Sequence, residues 1–286
     1  MDSASAIPVH AKQAVGEAAP WIAKLARLGY IAKALLYMTI GALATTAALG
    51  LGRTAAQAHG GSVGSRGAMG ALFEAPFGRV LLWICAAGLV GYGVWRLVEA
   101  FVDPERNGHG AKGLVLRARS AITALIHFAL GYSAIRIALG HLGAARDGRR
   151  TEHWTARALA TPGGELVLYG VAIGLAVYGV YQLYRAWKSK LGDQLSLGSL
   201  TGRTRRAVIG ISRFGIAARG IAFCTAGMLL LRAAREHDAA QADTPQQSLR
   251  QLFELGTIPF VVVAIGLIAY GVYEVIEARY RRIHVA

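Results

Sequence analysis

The sequence predicts an all-α integral membrane protein. Six transmembrane helices form three tandem parallel helix hairpins with pseudo-threefold symmetry. Three observations carry this reading. The 286 residues are 54% hydrophobic and only 16% charged, against roughly 25% charged in soluble domains. Six segments hold about 20 mostly apolar residues each, enough to cross a bilayer at ~1.5 Å per helical residue. One eight-residue pattern recurs three times at near-constant spacing. Disorder is excluded by the high hydrophobicity. A disulfide scaffold is excluded by having only two cysteines, Cys85 and Cys224, both inside apolar segments.

The spans are expected at 30–51, 78–101, 119–140, 164–187, 208–231 and 256–277. The second, fourth and sixth are unambiguous runs such as IPFVVVAIGLIAYGVYEVI (258–276). The third carries His127 and Arg136, and the fifth carries Arg213 and Arg219 in its first half. The formal charge is +15. In a soluble chain that excess would suggest nucleic acid, but no nucleic-acid motif accompanies it. Of the 31 lysines and arginines, 20 fall on the side of the termini. Basic residues gather in cytoplasmic loops, so both termini are expected in the cytoplasm, with a basic face toward anionic lipid.

No signal-peptide pattern precedes the first span. Near Pro20, the residues Trp21, Leu25 and Leu28 share one helical face beside Lys24 and Arg27. That spacing fits an interfacial helix or a plain basic lead-in. The chain divides into an N-terminal segment (1–25) and three repeats, 26–108, 109–193 and 194–286, the last with a basic tail.

The repeats are visible in both kinds of span. RLGYIAKALLYMTIG (27–41) matches RFGIAARGIAFCTAG (213–227) and, more loosely, RARSAITALIHFALG (117–131). GLVGYGVW (88–95), GLAVYGVY (174–181) and GLIAYGVY (266–273) share G-L-x-x-Y-G-V-aromatic. Each copy has two spans, so all three run the same way and relate by an axis along the membrane normal. Lys33, Tyr37 and Gly41 form one stripe, as do Gly88, Tyr92, Trp95 and Glu99. Laid antiparallel, glycine meets glycine, aromatic meets aromatic and ammonium meets carboxylate. Pairs Lys33–Glu99 and Arg219–Glu277 are therefore expected inside hairpins one and three. The packing stripes continue through Gly174 and Tyr178, and through Gly227, Gly266 and Tyr270.

The middle copy departs. Thr123 replaces the base, His127 the aromatic and Arg185 the acid. Arg185 must snorkel, bind a lipid headgroup or pair with an acid of another copy. Arg96, Gln182 and Glu274 occupy equivalent positions and, with Glu99, Arg185 and Glu277, form a six-residue layer. That layer reads either as a static network or as a gate.

ARLGYIAK (26–33), SRFGIAAR (212–219) and the closing YGVYEVIEARYRRI (270–283) resemble a bacterial membrane family catalogued only as a domain of unknown function. Its unit is a transmembrane helix pair usually present three times per chain. The resemblance implies a six-span protein of the bacterial cytoplasmic membrane and brings no activity with it.

No phosphate-loop, zinc-protease or C-x-x-C pattern occurs, and no cofactor is expected. His127 is the single histidine deep in a span. It reads as a hydrogen-bonded structural residue, with haem ligation the rarer use. Arg136 is expected to pair with Glu152 or Glu165 or to snorkel outward. Short amphipathic pieces precede the even spans, at 69–78, 155–164 and 247–256. Leu72, Phe73 and Phe77 of the first suit the outer interface, a cap on the bundle or a docking place for a partner. The expected role is a non-enzymatic accessory or scaffold acting through phospholipid or a membrane-protein partner. The alternative is a small-solute or ion pathway along the pseudo-threefold axis.

Overall fold

The computed structural model describes residues 9–49, 65–102, 110–141, 143, 150–188, 200–242 and 256–280. These comprise α1 (Val9–Ala48), α2 (Ser65–Glu74), α3 (Gly78–Val102), α4 (Ala111–Ala138), α5 (Arg150–Leu159), α6 (Gly164–Lys188), α7 (Gly202–Glu236), a 3-10 turn at Ala239–Gln241 and α8 (Thr257–Tyr280). Six are long and apolar enough to cross a membrane: α1 through its Lys24–Thr46 portion, α3, α4 from Gly113, α6, α7 and α8. They coincide with the six expected spans.

Two boundaries differ. α1 starts at Val9 and runs without a break into the span, so the lead-in near Pro20 is not a separate helix. Leu25 packs on Gly91 and the Leu28 carbonyl on Gly88, so this stretch of α1 is packed on α3. Trp21's side chain lies outside the described residues. α7 has 35 residues, about 52 Å at the helical rise. It overhangs a hydrocarbon core of about 30 Å, and the overhang at its start carries the exposed Arg203, Arg205, Arg206 and Arg213.

Neighbouring spans pack in the order α4, α3, α1, α8, α7, α6. The middle repeat departs from the expected hairpin: α4 and α6 are not among the extensively packed pairs. α4 rests instead on α3 of the first repeat, and α6 on α7 of the third. α2 packs against α1, α3 and α4 and buries Met69 and Leu72. It is a cap on the bundle, while Phe77 is 84% exposed. α5 holds the matching place against α6 and α7. The turns recur too. A Cβ on Gly78 would meet the Leu72 carbonyl, and one on Gly164 the Ala158 carbonyl. The third amphipathic piece, 247–256, lies almost wholly outside the described residues.

The spacing of the spans follows from side-chain size. In lipid, apolar burial drives helices together only weakly, so backbones approach where residues are small. In repeat one, α1 offers Gly29 and Ala32 to α3. A Cβ on Gly29 would overlap the Tyr92 Cβ, and one on Gly88 would stand 2.6 Å from the Leu28 carbonyl. In repeat three, α7 offers Gly215 and Ala218. A Cβ on Gly215 would overlap the Tyr270 backbone, and one on Gly266 the Ala218 Cβ. The shifts of 90 and 96 residues put Arg119 and Ile122 at these places in α4. Gly174, the counterpart of Gly88 and Gly266, has nothing within 4 Å of a built Cβ. An arginine followed by an isoleucine cannot enter the gap that glycine and alanine leave.

These contacts set opposite signs for one substitution. Gly88→Ala is expected to destabilise the protein by about 1–3 kcal/mol, because backbone must move. Gly174→Ala is expected to be neutral or to stabilise by up to ~1 kcal/mol through helix propensity. Thermal unfolding in a mild detergent checks both.

Candidate functional site

The polar residues singled out by the sequence gather toward one end of the bundle, and they join different partners from those expected. Lys33 Nζ stands 2.7 Å from Glu274 Oε2. This joins α1 to α8, the first repeat to the last. The contact is ionic and lacks the alignment of a hydrogen bond. The ammonium also lies over the rings of Tyr92, at 4.3 Å, and Tyr30, at 4.6 Å. Glu99, the expected partner of Lys33, pairs with Arg96 one turn earlier on its own helix and accepts from Ser120 Oγ at 3.2 Å. Arg96 Nε donates to the Tyr92 hydroxyl at 2.9 Å.

Arg219 does not pair with Glu277. Its guanidinium donates to the hydroxyls of Tyr37 (3.0 Å) and Tyr178 (3.2 Å). It also lies 4.9 Å from the ring centres of Phe223 and Tyr270. Arg185 donates to the Tyr273 hydroxyl at 2.8 Å, with Glu277 in electrostatic reach. This contact ties Arg185 to the third repeat through a tyrosine hydroxyl.

The aromatic pairs follow the same rule. Tyr37 meets Tyr270 edge to face at 4.7 Å. Phe223 meets Tyr178 at 4.9 Å, and His127 meets Tyr92 at 4.6 Å. The residue on each odd span touches the even span of the preceding repeat, with the last repeat preceding the first. The glycines correct likewise. A Cβ on Gly41 would meet Ile268 at 2.6 Å and the Ala264 carbonyl at 2.7 Å, both on α8. One on Gly227 would meet the Ala172 carbonyl and the Ala176 nitrogen on α6, each at 2.8 Å. Glycine therefore does not face glycine inside a hairpin, although Gly88 and Gly266 do face their own odd spans.

His127 Nδ1 is 2.7 Å from the Thr123 carbonyl, a local contact within α4. Among the described residues no group of three or more histidines, cysteines or acids is placed to hold a metal. Arg136 is exposed. Glu165, one of its two expected partners, lies 3.5 Å from His237. Gln182 is 1% exposed, and neither its amide nitrogen nor its oxygen has a hydrogen-bond partner. Its neighbours include Gly220 on α7.

Sequence reasoning missed Arg119. The arginine is exposed and lies 5.7 Å from the Tyr178 ring centre. Its signal was present in the register, since Gly29 and Gly215 occupy the same place in the other copies. Around it α4 and α6 stay apart. Ile122 and Ile126 are 59% and 52% exposed, whereas their counterparts Ala32, Leu36, Ala218 and Ala222 are at most 3% exposed. Tyr181 is 48% exposed against 4% for Trp95 and 1% for Tyr273.

The repeats identify the family. Residues 28–103, 118–189 and 214–281 each match the family described as Domain of Unknown Function (DUF1206). The chain belongs to the DUF1206 family. It is also 28% identical over 274 residues to the uncharacterized protein YxxB of Bacillus subtilis (strain 168), covering 93% of each chain. No solved structure matches it significantly. The DUF1206 unit is therefore a polytopic membrane repeat of unknown function, and its chemistry has to be read from the geometry above.

The Lys33–Glu274 contact yields a directional prediction. Glu274 is wholly buried, so Lys33→Met leaves an uncompensated carboxylate and is expected to cost about 3–5 kcal/mol. Lys33→Met with Glu274→Leu is expected to recover most of that loss. A double-mutant thermal-unfolding cycle checks it.

Proposed function

We propose that this protein is a non-enzymatic accessory or scaffold of the bacterial cytoplasmic membrane. It acts through lipid or a membrane-protein partner at the face between α4 and α6. The six spans form a pseudo-threefold ring of three parallel repeats that is open within the middle repeat, and both termini are cytoplasmic. The observation that carries this reading is the exposure of Ile122 and Ile126 where the other repeats bury their counterparts. A face left open in one repeat and closed in two is a surface available to something outside the chain.

The polar layer supports a static role. Its cations bind hydroxyls of adjacent repeats and rings of their own repeat, which locks helices together. A solute or ion pathway along the axis is less favoured, because the Arg219 guanidinium stands among Tyr37, Tyr178, Phe223 and Tyr270. The exposed arginines at the start of α7 support a cytoplasmic placement for that end.

Photo-crosslinking in native membranes tests the reading. A benzophenone amino acid at Ile126 or Val177 is expected to give defined adducts in excess over the same group at Val80 or Ile265. The controls are exposed apolar positions on α3 and α8. Equal diffuse labelling at all four positions would contradict it.

A further inference from the structure

We propose that the basic end of the opening between α4 and α6 binds one anionic phospholipid, with the phosphodiester held by Arg119, Arg185 and Gln182 and an acyl chain lying along the opening. The proposal deepens the reading above and rests on it.

Charge comes first. Arg119, Arg185 and Arg219 come from three different helices and all act electrostatically on Tyr178. Two of them flank its ring, Arg119 and Arg219, each 5.7 Å from its centre. Among the described residues, the acids nearby are Glu277, which acts on Arg185, and Glu274, which acts on Arg219 and pairs with Lys33. Arg96 and Glu99 neutralise each other. Among the described residues, Lys33, Arg119, Arg185 and Arg219 against Glu274 and Glu277 leave an excess of two positive charges. An arginine fork suits phosphate oxygens.

The second observation is independent of charge. Tyr178, Gln182 and Arg185 fall at i, i+4 and i+7 on α6, which is one face of the helix. Gln182 is 1% exposed with both ends of its amide unsatisfied, a costly state for a buried polar group. A phosphodiester oxygen accepts from the amide nitrogen. A headgroup hydroxyl, as in phosphatidylglycerol, donates to the amide oxygen. A phosphate ester with an adjoining hydroxyl therefore meets both needs, and phosphatidylcholine meets only one.

The third is shape. Beyond the arginines the opening is apolar, with Ile122 and Ile126 on α4 and Val177 on α6 all more than half exposed. Gly174 leaves room beside them, with nothing within 4 Å of a built Cβ. A polar end with two excess positive charges, continued by an apolar channel, matches an anionic lipid lying along the helices.

Native mass spectrometry of the full chain tests this, with release from mixed micelles of phosphatidylglycerol and phosphatidylcholine. One phosphatidylglycerol per chain is expected to be retained in preference to phosphatidylcholine. Arg119→Gln is expected to weaken retention about tenfold, the scale of one lost charge-assisted hydrogen bond. Gln182→Glu keeps the side-chain size but replaces the donor to the phosphodiester with a negative charge, so it is expected to weaken retention of phosphatidylglycerol. Arg205→Gln, at an exposed site on the overhang of α7, is expected to change nothing. Unchanged thermal unfolding of Arg119→Gln shows that the fold persists. Equal retention of both lipids, or full retention in Arg119→Gln, overturns the proposal. Complete displacement of the lipid by inorganic phosphate also overturns it, since the site then takes free phosphate. A retained second chain or foreign protein without lipid overturns it but leaves the scaffold reading standing, provided that crosslinks from Ile126 and Val177 run to that protein. Loss of those crosslinks as well removes both.

Discussion

Close approach of helix backbones is the constraint on which the rest of this structure depends. In lipid a helix gains little by hiding leucine from surroundings equally apolar, so contact must come from fit. Gly29 against Tyr92 and Gly215 against Tyr270 supply that fit in the outer repeats, where even a single Cβ would overlap its neighbour. The middle repeat presents Arg119 at the same register. Its spans part, and each packs instead against the repeat beside it. Two residue positions, 119 and 122, thus distinguish the open helix pair from the closed ones.

The second organising feature is the layer of cations and rings. α1 and α7 each have an even span on either side, one from their own repeat and one from the repeat before, whereas α4 packs extensively on the even span α3 alone. The small residues serve the first neighbour, while the stripe of Lys33, Tyr37 and Gly41 serves the second. Lys33–Glu274 and Tyr37–Tyr270 therefore join the first span to the last. This closes the bundle on that side and places the opening elsewhere. A buried ion pair is weak as a source of stability but costly to break on one side only. Its position here fixes which helices are neighbours.

Much of this was legible in the sequence. The six spans, the triple repeat and the helix stripes that carry the contacts follow from hydropathy and spacing. Which neighbour receives each contact did not follow. A stripe at i, i+4 and i+8 defines a face, and a helix in a ring has a neighbour on both sides, so Glu99 and Glu274 were equally available to Lys33 by pattern alone. Arg119 was legible in principle, as a charge at a glycine position. The louder departures at Thr123, His127 and Arg185 in the same repeat obscured it. Gln182 read as a neutral member of a charged layer; only burial shows that its amide lacks a partner. The small-residue pattern of the repeat holds where the spans pack closely and lapses where α4 and α6 stand apart.

Oxygen collision at a nitroxide on residue 126 tests the central claim most directly, because oxygen partitions into lipid and enters a closed helix interface poorly. The account predicts frequent collisions with Arg119 and Ile122 in place. It predicts a fall toward the buried level when Arg119→Gly and Ile122→Ala restore the pattern of the other repeats and let α4 and α6 draw together. A nitroxide protected in both backgrounds would mean that the face is closed from the start. One equally accessible in both would mean that Arg119 does not hold it open. Either result would contradict the account.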